Sequence, residues 1–327
     1  MNKNNDKLKM IDLFAGAGGL TYGFYKNEFN PIETIEFWEP ATKTYNINFK
    51  TDVKPLDITD DNVRNHLYNK WRNLTDIVIG GFPCQGFSMA GKRDKEDPRN
   101  QLYKYTIDVI DKVQPKCFCL ENVKGILSFK EIDGVKVIEK IKKRLEDIGY
   151  YSKYILLDAS NFGVPQKRER VIFVGAKLKD KDKVNKIIDA LSNYKEKIVT
   201  VRDAIYDLKD KDEDKVFSHI FTKHSPEMID KIRNTEIGKS AMKNFSDAWR
   251  KLDYEKPSFT VKENHGGVHL HPELPRVLTP RELARLQSFP DDFLFYGNKS
   301  EILKQIGNAV PCKLSLEIAK IVKKHFF

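Results

Sequence analysis

Cys84 is the residue around which a reaction could be built. It stands in Gly81-Phe82-Pro83-Cys84-Gln85-Gly86-Phe87-Ser88, directly after the apolar run Ile77-Val78-Ile79. That run has the length and β-branching of a buried strand in a parallel sheet. Two glycines and a proline turn the chain where the strand ends. The thiol therefore arrives at a strand's carboxyl end, where open α/β sheets bind their ligands. Once ionised, such a thiol is a nucleophile. A lone cysteine is otherwise a small buried hydrophobe, so the rest of the chain has to decide between the two.

The elements that would position it read as an α/β order. Residues 9–14 form a short strand, followed by Ala15-Gly16-Ala17-Gly18-Gly19-Leu20 and a helix over about 20–27. Strand, glycine-rich turn and helix open a nucleotide-binding, Rossmann-like sheet. The dinucleotide fingerprint fails, because its third glycine position is Thr21, so a smaller adenosyl ligand fits better than NAD. A second strand, 32–37, carries Glu36 near its end, where a carboxylate can accept from ribose hydroxyls. A solvated surface carboxylate fits Glu36 equally well. A third tip is expected at Leu56-Asp57-Ile58-Thr59, with Asp57 able to accept from an adenine amino group.

The run 77–81 makes the fourth strand. The loop 88–100 behind it carries Lys92, Arg93, Lys95 and Arg99, and a loop of that length in a compact domain is more often functional than idle. Residues 102–113 read as helix and 116–120 as a fifth strand ending in Glu121-Asn122-Val123. Cys117 and Cys119 alternate with Phe118 and so share one face as structural residues. Ile138, Ile141, Leu145 and Ile148 mark a core-facing helix. A strand at 154–157 leads through Gln166-Lys167-Arg168-Glu169-Arg170 into another at 171–174. From 177 the texture changes, with dense charge at 179–186 and weaker periodicity. Residues 1–184 and 279–327 are therefore expected to form one discontinuous domain, and 185–278 a smaller, irregular one. In the latter, His265, His269 and His271 are expected to face a groove or solvent. A helix follows at 281–287, and Pro311 opens a last helix with Leu314, Ile318, Ile321 and Val322 at core spacing.

At 327 residues the chain can bury a substantial core, and its net charge of +10 suits a polyanionic partner. Its four cysteines follow no CxxC or zinc-ligand spacing, which points to reduced thiols and no metal. No signal peptide and no membrane-spanning run is visible, so a cytoplasmic protein is expected.

Taken in order, the motifs resemble the bacterial C5-cytosine-specific DNA methyltransferases of restriction–modification type. They are Asp12-Leu13-Phe14-Ala15-Gly16-Ala17-Gly18-Gly19, Gly81-Phe82-Pro83-Cys84-Gln85, Glu121-Asn122-Val123 and Gln166-Lys167-Arg168-Glu169-Arg170. Arg281-Glu282-Leu283-Ala284-Arg285-Leu286-Gln287 with Phe289-Pro290, and Gln305-Ile306-Gly307-Asn308-Ala309-Val310, complete the set. The resemblance covers nearly all of the chain outside about 180–245. It implies a Rossmann-like domain for S-adenosyl-L-methionine (AdoMet, leaving as S-adenosyl-L-homocysteine), no metal, and a smaller target-recognition domain across a DNA cleft. Phe14, Gly16, Gly18, Gly19, Pro83, Leu102, Asn308 and Ala309 would line the cofactor site. Glu36 would take the ribose hydroxyls, Phe37 the adenine face, Asp57 its amino group and Ile58 its ring. Ser88, Lys92, Arg93, Arg250 and Thr260 would touch DNA. The family's usual aspartate two residues after the ribose glutamate is here Trp38. Duplex DNA is the implied partner of a monomeric, nucleoid-associated enzyme, with a cognate restriction endonuclease acting separately.

The chemistry explains the residue types. Carbon 5 of cytosine is too weak a nucleophile to take a methyl group unaided; a thiolate added at C6 gives it enamine character. Cys84 supplies the thiolate. Glu121 would give a proton to N3, with burial against an apolar wall favouring its protonated form. Arg170 would donate to O2, with Arg168 a further catalytic candidate. A water would remove the C5 proton. The base must leave the stack for a strand-tip thiol to reach it, and the loop 88–100 would close over it. The competing readings are a tRNA cytosine-5 methyltransferase with the same motifs and a non-catalytic DNA-binding scaffold. An RNA methyltransferase with its nucleophile on the fifth strand fits less well, since Phe118-Cys119 stands where a Thr-Cys pair is needed. Amino-group methylation needs an Asp-Pro-Pro-Tyr type motif that is not present.

Overall fold

The computed structural model describes residues 7–83, 101–242, 248–263 and 268–327. Cys84, Ser88, Lys92, Arg93 and His265 lie outside the described residues. Six strands form the central sheet: β1 (Leu8–Leu13), β2 (Phe29–Ile35), β3 (Ile77–Gly80), β4 (Cys117–Val123), β5 (Tyr150–Asp158) and β6 (Glu169–Lys177). Their spatial order is β2-β1-β3-β4-β6-β5. The first four are mutually parallel, and β6 runs antiparallel to both β4 and β5. The tips of β1, β3 and β4 therefore open on one end of the sheet.

Strand alternation divides the core in two. Cys117 and Cys119 join Met10, Ile77 and Ile79 on one face, while Phe118 and Leu120 join Ile11, Leu13 and Val78 on the other. Helices α1 (Gly19–Lys26), α6 (Lys181–Ser192) and α11 (Cys312–Phe326) cover the first face; α3 (Asp61–Trp71), α4 (Leu102–Val113) and α5 (Val137–Asp147) cover the second. Contact between α1 and α11 is so close that a Cβ on Gly23 would lie 2.1 Å from the Ser315 carbonyl carbon. The C-terminal helix is thereby locked beside the first strand.

A third cluster links α2 (Glu39–Phe49), α7 (Val201–Ile205), α9 (Pro280–Leu286) and α10 (Lys299–Asn308) through Tyr45, Phe49, Ile205, Leu286 and Ile306. A small fourth one holds Ile232 of α8 (Pro226–Arg233) with Leu270 and Val277; beside it β7 (Arg250–Lys251) pairs in parallel with β8 (His269–Leu270).

The structure differs from expectation at three places in the fold. Residues 56–59 form no strand, because the chain turns at Asp57, whose Oδ1 and carbonyl accept from the amides of Thr59 and Asp60; Leu56 N–H donates to the Glu36 carbonyl at 2.8 Å and holds that segment beside the β2 tip. The division expected at 184/185 falls inside α6, whose Val184, Ile187 and Leu191 share a core with Ile172 and Leu314. His269 and His271 face neither groove nor solvent. Both are buried, His269 against the Phe259 carbonyl and His271 with Nδ1 accepting from the amides of Glu273 and Leu274.

Candidate active site at the strand tips

The β1 tip is built for close approach. Phe14 takes a left-handed φ of 57°, which a residue with a side chain adopts only where the surroundings impose it. Gly16 also lies at positive φ, and a Cβ there would meet nothing within 4 Å, so its backbone borders open space. Gly18 serves packing instead: its Cβ would strike the Phe49 ring at 2.3 Å.

Glu36 follows β2 and turns inward. Its Oε2 accepts from the Gly16 amide at 2.9 Å and its Oε1 from the Trp38 amide at 2.8 Å. Only 8% of the residue is accessible. Burial raises its pKa, opposed by the backbone donors and by the charge of Lys304. The Phe37 ring next to it is 66% exposed, an apolar face held open to solvent. Asp57 is exposed, with Oδ1 accepting from the Thr59 amide. Ile58, expected against an adenine ring, is a core residue with 3% exposure, packed in the second cluster. Leu102 opens α4 partly buried, Pro83 is half-buried, Asn308 ends α10 exposed, and Ala309 lies just below it.

Beneath this tip lies Asp12, which the sequence reading left without a role. It is buried, accepts from the Thr21 hydroxyl, and leaves Oδ1 without a partner. Burial pushes its pKa up to about 7; the Thr21 bond works against this and the nearby Glu36 adds to it. An acidic residue inside an apolar strand was the available signal.

The tips of β3, β4 and β6 converge on one spot. Arg170 Nε stands 2.6 Å from Glu121 Oε1, with side-chain exposures of 11% and 13%. Glu121 thus sits in an ion pair rather than against the apolar wall expected for it. Its Oε2 lies 3.1 Å from where a Cβ on Gly81 would be, so the carboxylate borders the turn that leads into Cys84. Asn122 fixes that turn, donating from Nδ2 to the Phe82 carbonyl at 3.1 Å while Oδ1 accepts from the Val123 amide.

Arg168 does not join this group. Its guanidinium is buried and donates to the carbonyls of Val261 at 2.6 Å, Gly307 at 2.9 Å and Ala309 at 3.1 Å. Those bonds commit it to holding three segments together, which corrects the catalytic role expected from the motif. Gln166 and Gln287 extend the knot. Gln166 accepts from Val261 N and donates to Leu286 O and Gln287 Oε1, while Gln287 donates to Ile306 O. Of the expected DNA contacts, Arg250 lies 3.5 Å over the Phe259 ring and donates to the Gly238 carbonyl, and Thr260 donates to the Lys167 carbonyl at 2.8 Å. Among the described residues no group of three or more His, Cys, Asp or Glu is placed to hold a metal, and no helix is long and apolar enough to cross a membrane.

An acid–guanidinium pair against the turn before a thiol, beside an open glycine turn with a carboxylate and an exposed aromatic ring, suits a thiol-dependent group transfer from an adenosyl donor. Comparison with known proteins agrees. Residues 8–324 match the family model described as C-5 cytosine-specific DNA methylase. The chain is 37% identical over 336 residues to Type II methyltransferase M1.HphI of Haemophilus parahaemolyticus, covering 97% of this chain and 87% of that protein. It is 34% identical to Type II methyltransferase M.FnuDI of Fusobacterium nucleatum, covering 97% and 94%. A crystal structure of a prophage-encoded E. coli protein, described as a DNA modification methyltransferase, superposes with a TM-score of 0.79 at 27% identity over 98% of this chain and 99% of that one. The Dnmt2 methyltransferase of S. pombe, at 16% identity and a TM-score of 0.66 over 98% of this chain and all of the other, shares the fold. This chain belongs to the C-5 cytosine-specific DNA methylase family.

Proposed function

We propose that this DNA cytosine-5 methyltransferase binds AdoMet at the β1 and β2 tips and methylates one cytosine within a short sequence of duplex DNA. The Glu121–Arg170 pair beside Gly81 carries the reading, because it sets a carboxyl group and a fixed cation against the turn from which the chain runs on to Cys84. The cofactor residues fit. Gly16 leaves room for a ligand against its backbone, Glu36 offers acceptor oxygens for ribose hydroxyls, and Phe37 offers an open ring face to adenine. When bound, AdoMet supplies an electrophilic methyl group.

The target base is rotated out of the duplex, since a strand-tip thiol cannot reach a stacked carbon. Cys84 Sγ adds to C6. Glu121 hands a proton to N3, and Arg170 donates to O2, where negative charge gathers. C5 then has enamine character and takes the methyl group. Water removes the C5 proton, N3 returns its proton to Glu121 and Cys84 leaves as thiolate, restoring the ring. Ser88, Lys92 and Arg93 meet phosphates, while the region after α6, with Arg250 and Thr260, reads the site. The enzyme acts as a monomer on nucleoid DNA, paired in the cell with a separate restriction endonuclease.

Duplex DNA with 5-fluorocytosine at the target tests this reading, because fluorine cannot leave as a cation. The expected product, with AdoMet present, is a denaturant-stable complex that Cys84→Ser abolishes. Trapping on fluorinated tRNA and not on duplex DNA would move the substrate to RNA; no adduct on either would refute the covalent mechanism.

A further inference from the structure

Trp38 occupies the position where the family usually has an aspartate, and its surroundings give it a use. Its amide holds Glu36 Oε1, and its ring carries Lys304 Nζ 4.7 Å from the centroid. Lys304 comes from α10, four residues before Asn308 and hence on the same side of that helix. A cation over an indole face is attracted by the ring quadrupole. The pair therefore joins the β2 tip to α10, two segments that approach the cofactor site from opposite ends of the chain.

Glu36 needs such a neighbour. Only the ionised carboxylate offers all its lone pairs to ribose hydroxyls, and burial works against ionisation. The groups that face it are the amides of Gly16, Phe37 and Trp38, Asp12 on β1 and Lys304 on α10. Asp12, when charged, opposes ionisation of Glu36. Lys304 is the cation among them. We infer that Lys304, seated on the Trp38 ring, is a positioning residue that keeps Glu36 a ribose acceptor and ties α10 over the cofactor. An aspartate at position 38 would offer a lysine a charge but no ring, and would add a second carboxylate beside Glu36.

The inference rests on the AdoMet reading of the strand tips, and the test separates the two. AdoMet affinity of the full-length chain is measured by calorimetry for the wild type, Lys304→Gln, Trp38→Leu, their double variant, Lys304→Arg and Trp38→Phe. Each of the first two single variants is expected to weaken binding about five-fold, the scale of a partly exposed cation–π contact plus a lost charge. The double variant should be no more than about two-fold worse than either. Lys304→Arg and Trp38→Phe should recover most of the loss. In turnover the loss should fall on KM for AdoMet with kcat little changed, and the acid limb of binding for Lys304→Gln should move to higher pH. Wild-type affinity in Lys304→Gln or Trp38→Leu, or losses that multiply in the double variant, would overturn the inference alone. A wild-type chain that bound no AdoMet would overturn the cofactor reading and this inference with it.

Discussion

Replacing Arg168 with methionine separates a structural from a catalytic guanidinium. The side chain is buried and donates to the carbonyls of Val261, Gly307 and Ala309. Ala309 keeps a second donor, Gln287 Nε2 at 3.3 Å, so the carbonyls of Val261 and Gly307 carry most of the loss. Hydrogen bonds from a charged donor contribute about 1.5–3 kcal/mol each, and a stranded buried acceptor costs a similar amount. Methionine recovers part of the packing, leaving about 3–5 kcal/mol of destabilisation. At the entropy of unfolding typical of a chain this long, that is about 4–7 °C in melting temperature. Urea and thermal melts would be run beside AdoMet binding, because the Gly307 and Ala309 carbonyls flank Asn308 and a slack knot should weaken the cofactor site as well. A variant that melts with the wild type yet loses a hundred-fold or more in kcat would refute this reasoning and return Arg168 to the chemistry.

Glu121→Gln should slow methyl transfer by about two to four decades, the usual contribution of a positioned general acid, measured by single-turnover methylation of duplex DNA; a rate within two-fold of wild type would remove it from the mechanism. Gly23→Ala should lower the melting temperature despite the roughly 1 kcal/mol gain in helix propensity, since the new methyl would press on Ser315 and Leu316 backbone at 2.1 and 2.2 Å; equal or greater stability would show that α11 can yield. Asp12 is raised to about 7 in the fold, so the folded chain holds a proton that the unfolded chain releases near pH 4, and stability falls as pH rises from about 4 to 7. Asp12→Asn should remove that slope, gaining up to about 4 kcal/mol over wild type by pH 8 and little at pH 4, as urea titrations at the two pH values would show; a gain independent of pH would mean Asp12 does not titrate in that window.

What the sequence disclosed followed from periodicity and turn chemistry. The helix at 102–113 was legible to the residue, and Cys117-Phe118-Cys119 alternates across the sheet as its pattern demands. The Glu36 tip was readable from its place at the end of the second strand. Residues 56–59 misled because Asp57 closes a local turn, its side chain and carbonyl taking the Thr59 and Asp60 amides. The charges at 179–186 obscured α6, although Val184, Ile187 and Leu191 keep helical spacing. Buried histidines were not legible, because nothing in a sequence tells a solvated imidazole from a neutral one satisfying backbone amides.

The misreading of Arg168 has a more general cause. Two arginines two residues apart beside a strand suggest one shared face, yet Arg168 precedes β6, which begins at Glu169, and so escapes the alternation that governs Arg170. Arg168 then serves Arg170. Arg170 can meet Glu121 at 2.6 Å only if the start of β6 is held in register against β4, and Val123 pairs with Arg170 at the very end of that ladder, where strands fray first. The knot of Gln166, Arg168 and Gln287 fastens the chain just before that point to Val261, Leu286 and the 306–309 turn. Motif residues distant in sequence thus form one buried polar assembly whose output is the position of a single guanidinium. It also joins the cofactor side, at 307–309, to the Glu121–Arg170 pair. A catalytic group at a strand end needs such an anchor, because a displacement of about 1 Å at the reacting atoms costs far more rate than it costs stability.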